Sequence, residues 1–371
     1  MKVGSLWKSL LCTGKRRVSE ADPGREAADD LRREAKKKSM ILRSSGSLPS
    51  PCSRSSAFAS VFSQRGEKGM NQDCCLVWQE FGCQEDMAFC GVFDGHGPWG
   101  YHVASAVRRA LPSSLLCNWQ EALAKVDDEK LCHFDLWNRS FLLACDAVDK
   151  ELQLDRTLSF HSGTTALTIV KQGNLIVIAN VGDSRAVLAT VNENGGLSPV
   201  QLSVDLKPNL PRKLNPPLRE SINSTNAITS LLLTLTSSTS EELERITQRR
   251  GRVHCCADEP GVHRVWLPTE EAPGLAMSRA FGDYCVKDFG VISEPQVTQR
   301  IITNKDRFVV LATDGVWDVI SNEEAIRIVS ASKDPRRSAK RLVGCAVRAW
   351  RRKRRGYAVD DCSAICLFLH P

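Results

Sequence analysis

No run of apolar residues in this 371-residue chain approaches the roughly 20 needed to cross a bilayer, so no membrane span is expected. The opening Met1-Lys2-Val3-Gly4-Ser5-Leu6-Trp7 carries too short an apolar stretch for a secretory signal. Lys2 stands where N-myristoylation requires a glycine. Regular cysteine spacing is missing too. The fifteen cysteines are scattered, with adjacent pairs at Cys74-Cys75 and Cys255-Cys256, and none forms a C-x-x-C unit. Zinc sites and disulfide frameworks are therefore not expected, and reduced thiols in the cytoplasm or nucleus are. Also lacking are aromatic residues interleaved with the basic clusters Lys36-Lys37-Lys38 and Arg351-Arg352-Lys353-Arg354-Arg355. A base-stacking nucleic-acid surface is thus not expected. The clusters read as a nuclear-import signal, a patch that attracts phosphoprotein, or solvated surface.

The composition, 42% hydrophobic and 25% charged with a net charge of +7, is that of a soluble globular protein of one large or two medium domains. Residues 1–56 are rich in Ser, Arg, Lys and Ala, with little hydrophobic periodicity, and read as a disordered tail. The ordered domain is expected over 57–371. Strands are predicted at Cys74–Trp78, Ala88–Phe93, Thr165–Val170, Leu175–Val181, Ala186–Val191, Phe308–Ala312 and Ala364–Leu369. Helical periodicity covers Trp99–Leu111, Leu136–Leu154, Glu241–Arg250, Glu323–Ser330 and Ser338–Trp350. Strict β-α-β alternation is absent. That predicts an α+β fold of antiparallel sheets covered by helices, not a doubly wound parallel sheet. The Ser/Thr/Leu-rich stretch at 212–240 breaks the pattern. It reads as an insertion without fixed structure, a regulatory loop over the substrate face, or retained intron sequence.

Chemistry concentrates at aspartates placed where strands end. In Val92-Phe93-Asp94-Gly95-His96-Gly97 an apolar strand meets a carboxylate, a bare backbone and an imidazole. Alone this is a tight turn or a metal site with a proton donor beside it. Ala312-Thr313-Asp314-Gly315 repeats the arrangement, Asp183 lies in a turn between two apolar strands, and Asp360-Asp361 and Asp73 each precede a strand. Packed sheets would bring such ends into one cleft. Clustered carboxylates repel one another, and a divalent cation neutralises them. Oxygen donors without His or Cys point to Mg²⁺ or Mn²⁺ and away from Zn²⁺. Two such ions can activate a bridging water and brace a phosphoryl group.

The ordered set Lys68-Gly69-Met70-Asn71-Gln72-Asp73, Phe93-Asp94-Gly95-His96-Gly97, Ser162-Gly163-Thr164-Thr165-Ala166, Val181-Gly182-Asp183-Ser184-Arg185-Ala186, Leu275-Ala276-Met277-Ser278-Arg279-Ala280-Phe281-Gly282-Asp283, Ala312-Thr313-Asp314-Gly315-Val316-Trp317-Asp318 and Asp360-Asp361-Cys362-Ser363 resembles the metal-dependent protein Ser/Thr phosphatases of the 2C type, plant members above all. The resemblance runs from about Ala57 to Leu369, apart from 212–240. It implies a four-layer α-β-β-α sandwich acting on phosphorylated proteins with two Mg²⁺ or Mn²⁺ ions and a weaker third; nothing in the sequence calls for an obligate assembly, so a monomer is expected.

In that likeness Asp94 bridges the metals and the Gly95 carbonyl binds one of them. Asp314 and Asp360 complete the second ion's shell, with Asp361 as the fallback for Asp360. Asp73 holds metal-bound water, and Asp183 matches a ligand of the third ion. His96 is the general acid for the leaving Ser or Thr oxygen. A metal-bridging hydroxide attacks phosphorus in line, with no phosphoenzyme. Lys68 stands where animal members place a phosphate-holding arginine, and offers a point charge where arginine offers a fork. Gln72 stands where many members carry a glutamate, and Asp205-Leu206-Lys207-Pro208 replaces the usual Asp-His-Lys-Pro. The Asp288-Phe289-Gly290 triplet lacks the accompanying glycine-rich and catalytic loops of a kinase, and no cysteine heads a phosphate-cradling loop ending in arginine. The alternative reading is a phosphatase-fold scaffold that binds phosphoproteins without turnover.

Overall fold

The computed structural model describes residues 58–125, 133–209, 241–257, 259–354 and 356–370. The expected tail at 1–56 and the 212–240 insertion lie outside the described residues. Ten strands build two sheets: β1 (Ala59–Gln64), β2 (Cys74–Gln79), β3 (Met87–Phe93), β4 (Ala166–Gln172), β5 (Leu175–Val181), β6 (Arg185–Val191), β7 (Leu197–Gln201), β8 (Gln296–Ile301), β9 (Asp306–Ala312) and β10 (Cys362–Phe368). One sheet runs β1-β10-β9-β6-β7 and the other β8-β5-β4-β3-β2, with every pair antiparallel. The main helices are α1 (Gly100–Leu123), α2 (His133–Gln153), α3 (Glu241–Gln248), α4 (Asn322–Ser330) and α5 (Ser338–Lys353).

The period-two direction of side chains explains the layering. In β2, Cys75 and Val77, together with Val92 of β3 and Ile169 of β4, face the other sheet, where Leu188, Val309, Leu311 and Ile365 meet them. Cys74 and Leu76 face outward onto Val103, Val107, Leu111 and Phe141 of α1 and α2. The second sheet does the same: Val310, Ala312, Ala364 and Cys366 pack beneath Ile326, Leu342, Val343, Ala346 and Trp350 of α4 and α5. Both faces of the central strands are thus covered, which is why β3 is buried at all seven positions and reads as a continuous apolar run. The result is the four-layer α-β-β-α sandwich. Among the described residues no helix is long and apolar enough to cross a membrane.

Two departures from the sequence reading have clear causes. The first helix does not stop at Leu111 but continues through Pro112 to Leu123. Burial of Leu115, Leu116 and Trp119, the last stacked on Trp137 of α2 at 4.9 Å, outweighs the hydrogen bond that proline removes. Strands β1, β7 and β8 were not expected. They lie at sheet edges, are half-buried with mixed polarity, and in β7 contain a proline, so their patterns are weak.

The segment after the undescribed stretch is anchored by Glu242. Its carboxylate accepts from Arg245 (3.0 and 2.7 Å), Arg279 (2.7 Å) and the Ser278 hydroxyl (2.5 Å). Burial works against the charge, but the hydrogen bonds from Arg245 and Arg279 overcome it and hold the pKa at about 2. A folded-state value below the unfolded one means stability that is present above about pH 4.3 and lost as pH falls toward the folded value. Glu242→Gln leaves two arginines unpaired in a largely buried site, and is expected to cost roughly 3 kcal/mol at pH 7. Urea unfolding at pH 7 and at pH 3.5 checks this: the gap to wild type should narrow at the lower pH.

Candidate active site

Antiparallel pairing sets the start of each strand beside the end of its neighbour, and this gathers the aspartates. Asp94 follows β3 and Asp73 precedes β2, with Cys74 opposite Phe93. Asp314 follows β9 and the Asp360-Asp361 pair precedes β10, with Ala312 opposite Ala364. Ala312 also faces Arg185, the residue after the β5–β6 turn that carries Asp183. A hydrogen bond from the Thr313 hydroxyl to Asp73 Oδ2 (2.9 Å) ties the two sheet ends together.

The electrostatics record that convergence. Burial, and then the charges of Asp73, Asp314, Asp360 and Asp183, hold Asp94 well above the usual carboxylate range. Asp314 is raised by burial and by Asp183, Asp360 and Asp318, while a hydrogen bond with Asp94 works the other way. Burial pushes Asp73 up to about 7, aided by Asp361 and Asp360 and opposed by hydrogen bonds from Ser363 and Thr313. Asp183 is raised by burial against the pull of Lys207, whose ammonium lies 4.0 Å away. The buried oxygens Asp73 Oδ1 and Asp183 Oδ1 have no hydrogen-bond partner.

The loop geometry needs glycine at two places. Gly97 has φ of 83°, and a Cβ there would sit 2.3 Å from the His161 carbonyl. A Cβ on Gly95 would come within 2.5 Å of the Gly100 carbonyl oxygen. Gly95-His96 forms a two-residue strand against Gly163-Thr164, which pairs in turn with Phe281-Gly282. Asp283 follows with φ of 51°, and its Oδ2 lies 2.5 Å from His96 Nε2. Burial opposes protonation of His96, but the Asp283 carboxylate overcomes it and raises the pKa above the ordinary histidine value. His96 Nδ1 is buried without a partner.

The two neighbouring aspartates have different surroundings. Asp361 accepts from the backbone N–H groups of Gly66 (2.7 Å) and Gln72 (2.8 Å), so it fixes the 66–72 loop. Asp360 instead faces the Lys68 ammonium at 2.5 Å. Lys68 is 56% exposed, and burial that would lower its pKa is outweighed by Asp360, so it stays cationic. Gln72 Nε2 donates to the Gly97 carbonyl at 3.0 Å, a bond a glutamate could not make. Three motif residues to which the sequence assigns no role of their own lie near the cluster: Asp283, Lys207 and Asp318. Asp318 sits one helical turn after Asp314 on the short helix Asp314–Trp317, a spacing that signals a shared face. The Gly282-Asp283 contact with His96 spans 187 residues and has no local signature.

Among the described residues no three carboxylate, histidine or cysteine side chains are already drawn into metal-ligand geometry. The donor set nonetheless fits hard divalent cations: all-oxygen, with excess negative charge and two orphaned carboxylate oxygens. Such cations would draw on Asp94, the Gly95 carbonyl, Asp314 and Asp360, with Asp73 and Asp183 flanking.

The model of one family, protein phosphatase 2C, matches residues 57–213 and 223–353. Probable protein phosphatase 2C 34 of Arabidopsis thaliana is 57% identical over 351 residues, covering 93% of this chain and 89% of that protein. Probable protein phosphatase 2C 48 of Oryza sativa subsp. japonica is 53% identical over 377 residues, covering 98% and 96%. The crystal structure of the serine-threonine phosphatase 2C from Toxoplasma gondii shares the fold at a TM-score of 0.68 and 23% identity, over 89% of this chain and 99% of that one.

Proposed function

Because this chain belongs to the protein phosphatase 2C family, a family of protein Ser/Thr phosphatases, we propose that it hydrolyses phosphoserine and phosphothreonine by direct attack of water on phosphorus, without a phosphoenzyme, at the carboxylate cluster around Asp94. The observation that carries this reading is the gathering of Asp73, Asp94, Asp183, Asp314 and Asp360 at one end of both sheets, each close enough to another to perturb its proton affinity. Mg²⁺ or Mn²⁺, two ions and a weaker third, would be held there, and would neutralise this charge and supply an activated water.

The protein's own groups divide the remaining work. Asp94, Asp314, Asp360 and the Gly95 carbonyl would hold the two cations. Asp73 would hold metal-bound water, and Asp183 would serve the weaker third ion. Lys68, cationic and exposed at the rim, attracts the phosphate and can exchange its contact with Asp360 for one with the substrate. His96 gives its proton to the departing Ser or Thr oxygen, and Asp283 orients the ring and stabilises its charged form. The nearest thiols support the absence of a covalent intermediate: burial raises Cys74 to about 11 and holds Cys75 and Cys362 protonated as well.

A matched panel of phosphopeptides tests the substrate class. With Mn²⁺ or Mg²⁺ present, phosphate release is expected from phosphoserine and phosphothreonine peptides and at least about 100-fold less from phosphotyrosine, whose leaving group needs no proton from His96 but must fit a different reach. Equal release from all three would remove the proposed specificity.

A further inference from the structure

Residues 333–355 contain eleven Lys and Arg and a single acidic residue, Asp334, a net +10 against +7 for the whole chain. The excess positive charge of the protein is therefore carried by this one segment, most of which is α5. The helix divides cleanly. Ser338, Ala339, Leu342, Val343, Ala346, Val347, Ala349 and Trp350 are buried against the sheet. Every other residue of α5 is Lys or Arg except Gly344 and Cys345. Arg341, Arg348 and Arg352, spaced by seven and four, line up along the outer face.

Local structure does not account for this stripe. Basic residues in the last turn, Arg351 to Lys353, complement the helix dipole, but Lys340 and Arg341 sit in its first turn, where positive charge is unfavourable. Arg348 and Arg352 are like charges four apart and repel. The carboxylates that reach the region do so at its ends: Asp334 by Arg337 (3.7 Å), and Glu67, Glu324 and Asp318 by Arg351, Lys353 and Arg354 (3.8, 3.5 and 3.6 Å). Among the described residues none pairs with Arg341, Arg348 or Arg352.

The C-terminal end of α5 abuts the active site. Trp350 Nε1 donates to the carbonyl of Gly315, next to Asp314, at 2.6 Å. Arg351 contacts Glu67, the neighbour of Lys68. The stripe thus begins at the rim of the site and leads away from it over the outer face of the sandwich. Resting on the phosphatase reading, we infer that the outer face of α5 docks an acidic segment of the phosphoprotein substrate, on the same polypeptide as the residue being dephosphorylated. A polypeptide is favoured over other anionic partners by what the face lacks. It offers no aromatic side chain for bases to stack on and no exposed apolar side chain to enter a lipid surface. From Arg352 to Arg341 is about 16 Å at the helical rise, which about five extended residues span.

The test uses the full chain and a pair of phosphothreonine peptides identical except for five glutamates or five glutamines centred about eight residues from the phosphothreonine, made with the run on either side. One acidic peptide is expected to be turned over with kcat/KM at least about tenfold above its glutamine twin, through KM, and to lose that advantage in 0.5 M salt. The triple variant Arg341→Gln/Arg348→Gln/Arg352→Gln should keep wild-type activity on the glutamine peptides and lose the preference. Equal kcat/KM for the twins, or a preference that survives in the variant, overturns the inference. Vesicles containing phosphatidylserine serve as the competing arm: sedimentation with them that the triple variant abolishes, together with no peptide preference, would assign the face to a membrane. If neither peptide releases phosphate, the phosphatase reading has failed. Fluorescence anisotropy with the labelled acidic peptide then still decides docking, since the triple variant must bind it more weakly than wild type does.

Discussion

Replacing Asp94 with asparagine should lower turnover of a phosphothreonine peptide by at least about 10³-fold, because the residue sits at the centre of the proposed cation site where even outlying supports are worth 10–100-fold. The same change should make the metal-free protein more stable. Asp94 is a carboxylate that burial and four neighbouring aspartates hold far above its ordinary pKa. An amide of the same shape removes that repulsion, so in EDTA the unfolding midpoint should rise by roughly 2–4 °C. Added Mn²⁺ should then stabilise wild type and leave the variant nearly unmoved. Calorimetry with and without EDTA, run beside the activity assay, separates this account from misfolding. A variant that is both inactive and less stable in EDTA would place Asp94 in the scaffold instead.

The second large effect concerns the leaving group. General acids contribute about 10²–10⁴-fold where the departing oxygen is a poor leaving group. His96→Asn should therefore cost about 10³-fold on a phosphothreonine peptide but less than about tenfold on 4-nitrophenyl phosphate, whose phenolate leaves without a proton. Asp283→Asn should show the same pattern at smaller size, roughly 10–100-fold on the peptide, because it acts through His96. Equal losses on both substrates would mean that the pair holds up the small Gly95–His96 strand and does not transfer a proton.

The parts of this molecule that could be read from sequence are those whose signal is local. Asp94 and Asp314 each follow an apolar strand and precede a glycine, so strand end and carboxylate are visible together. Strands buried on both faces, such as β3, appear as unbroken apolar runs. The edge strands β1, β7 and β8 are half-wet and carry no such mark. The helical periodicity of α1 fades at Leu111, while the stacking of Trp119 on Trp137 that sustains the helix past Pro112 is a tertiary contact. The bonds that occupy Asp361 and favour Asp360 for the proposed site come from a loop nearly 300 residues away in the chain, so no local signal carries them. Asp283 and Lys207 reach the cluster only through the fold. Gln72, which stands where many members carry a glutamate, uses its amide to donate to the Gly97 carbonyl beside Gly95 and His96, a contact the sequence does not show.

The central claim is that the strand-end aspartates form a cation-dependent phosphate-releasing site. Phosphate release from one phosphothreonine peptide, followed while Mn²⁺ or Mg²⁺ is titrated into protein stripped with EDTA, tests it most directly. The account predicts no release in EDTA, activity that rises with the cation and saturates, and its loss when EDTA is returned. A folded sample that the cation measurably stabilises but that releases no phosphate would contradict it, and would leave a phosphoprotein-binding scaffold in place of an enzyme.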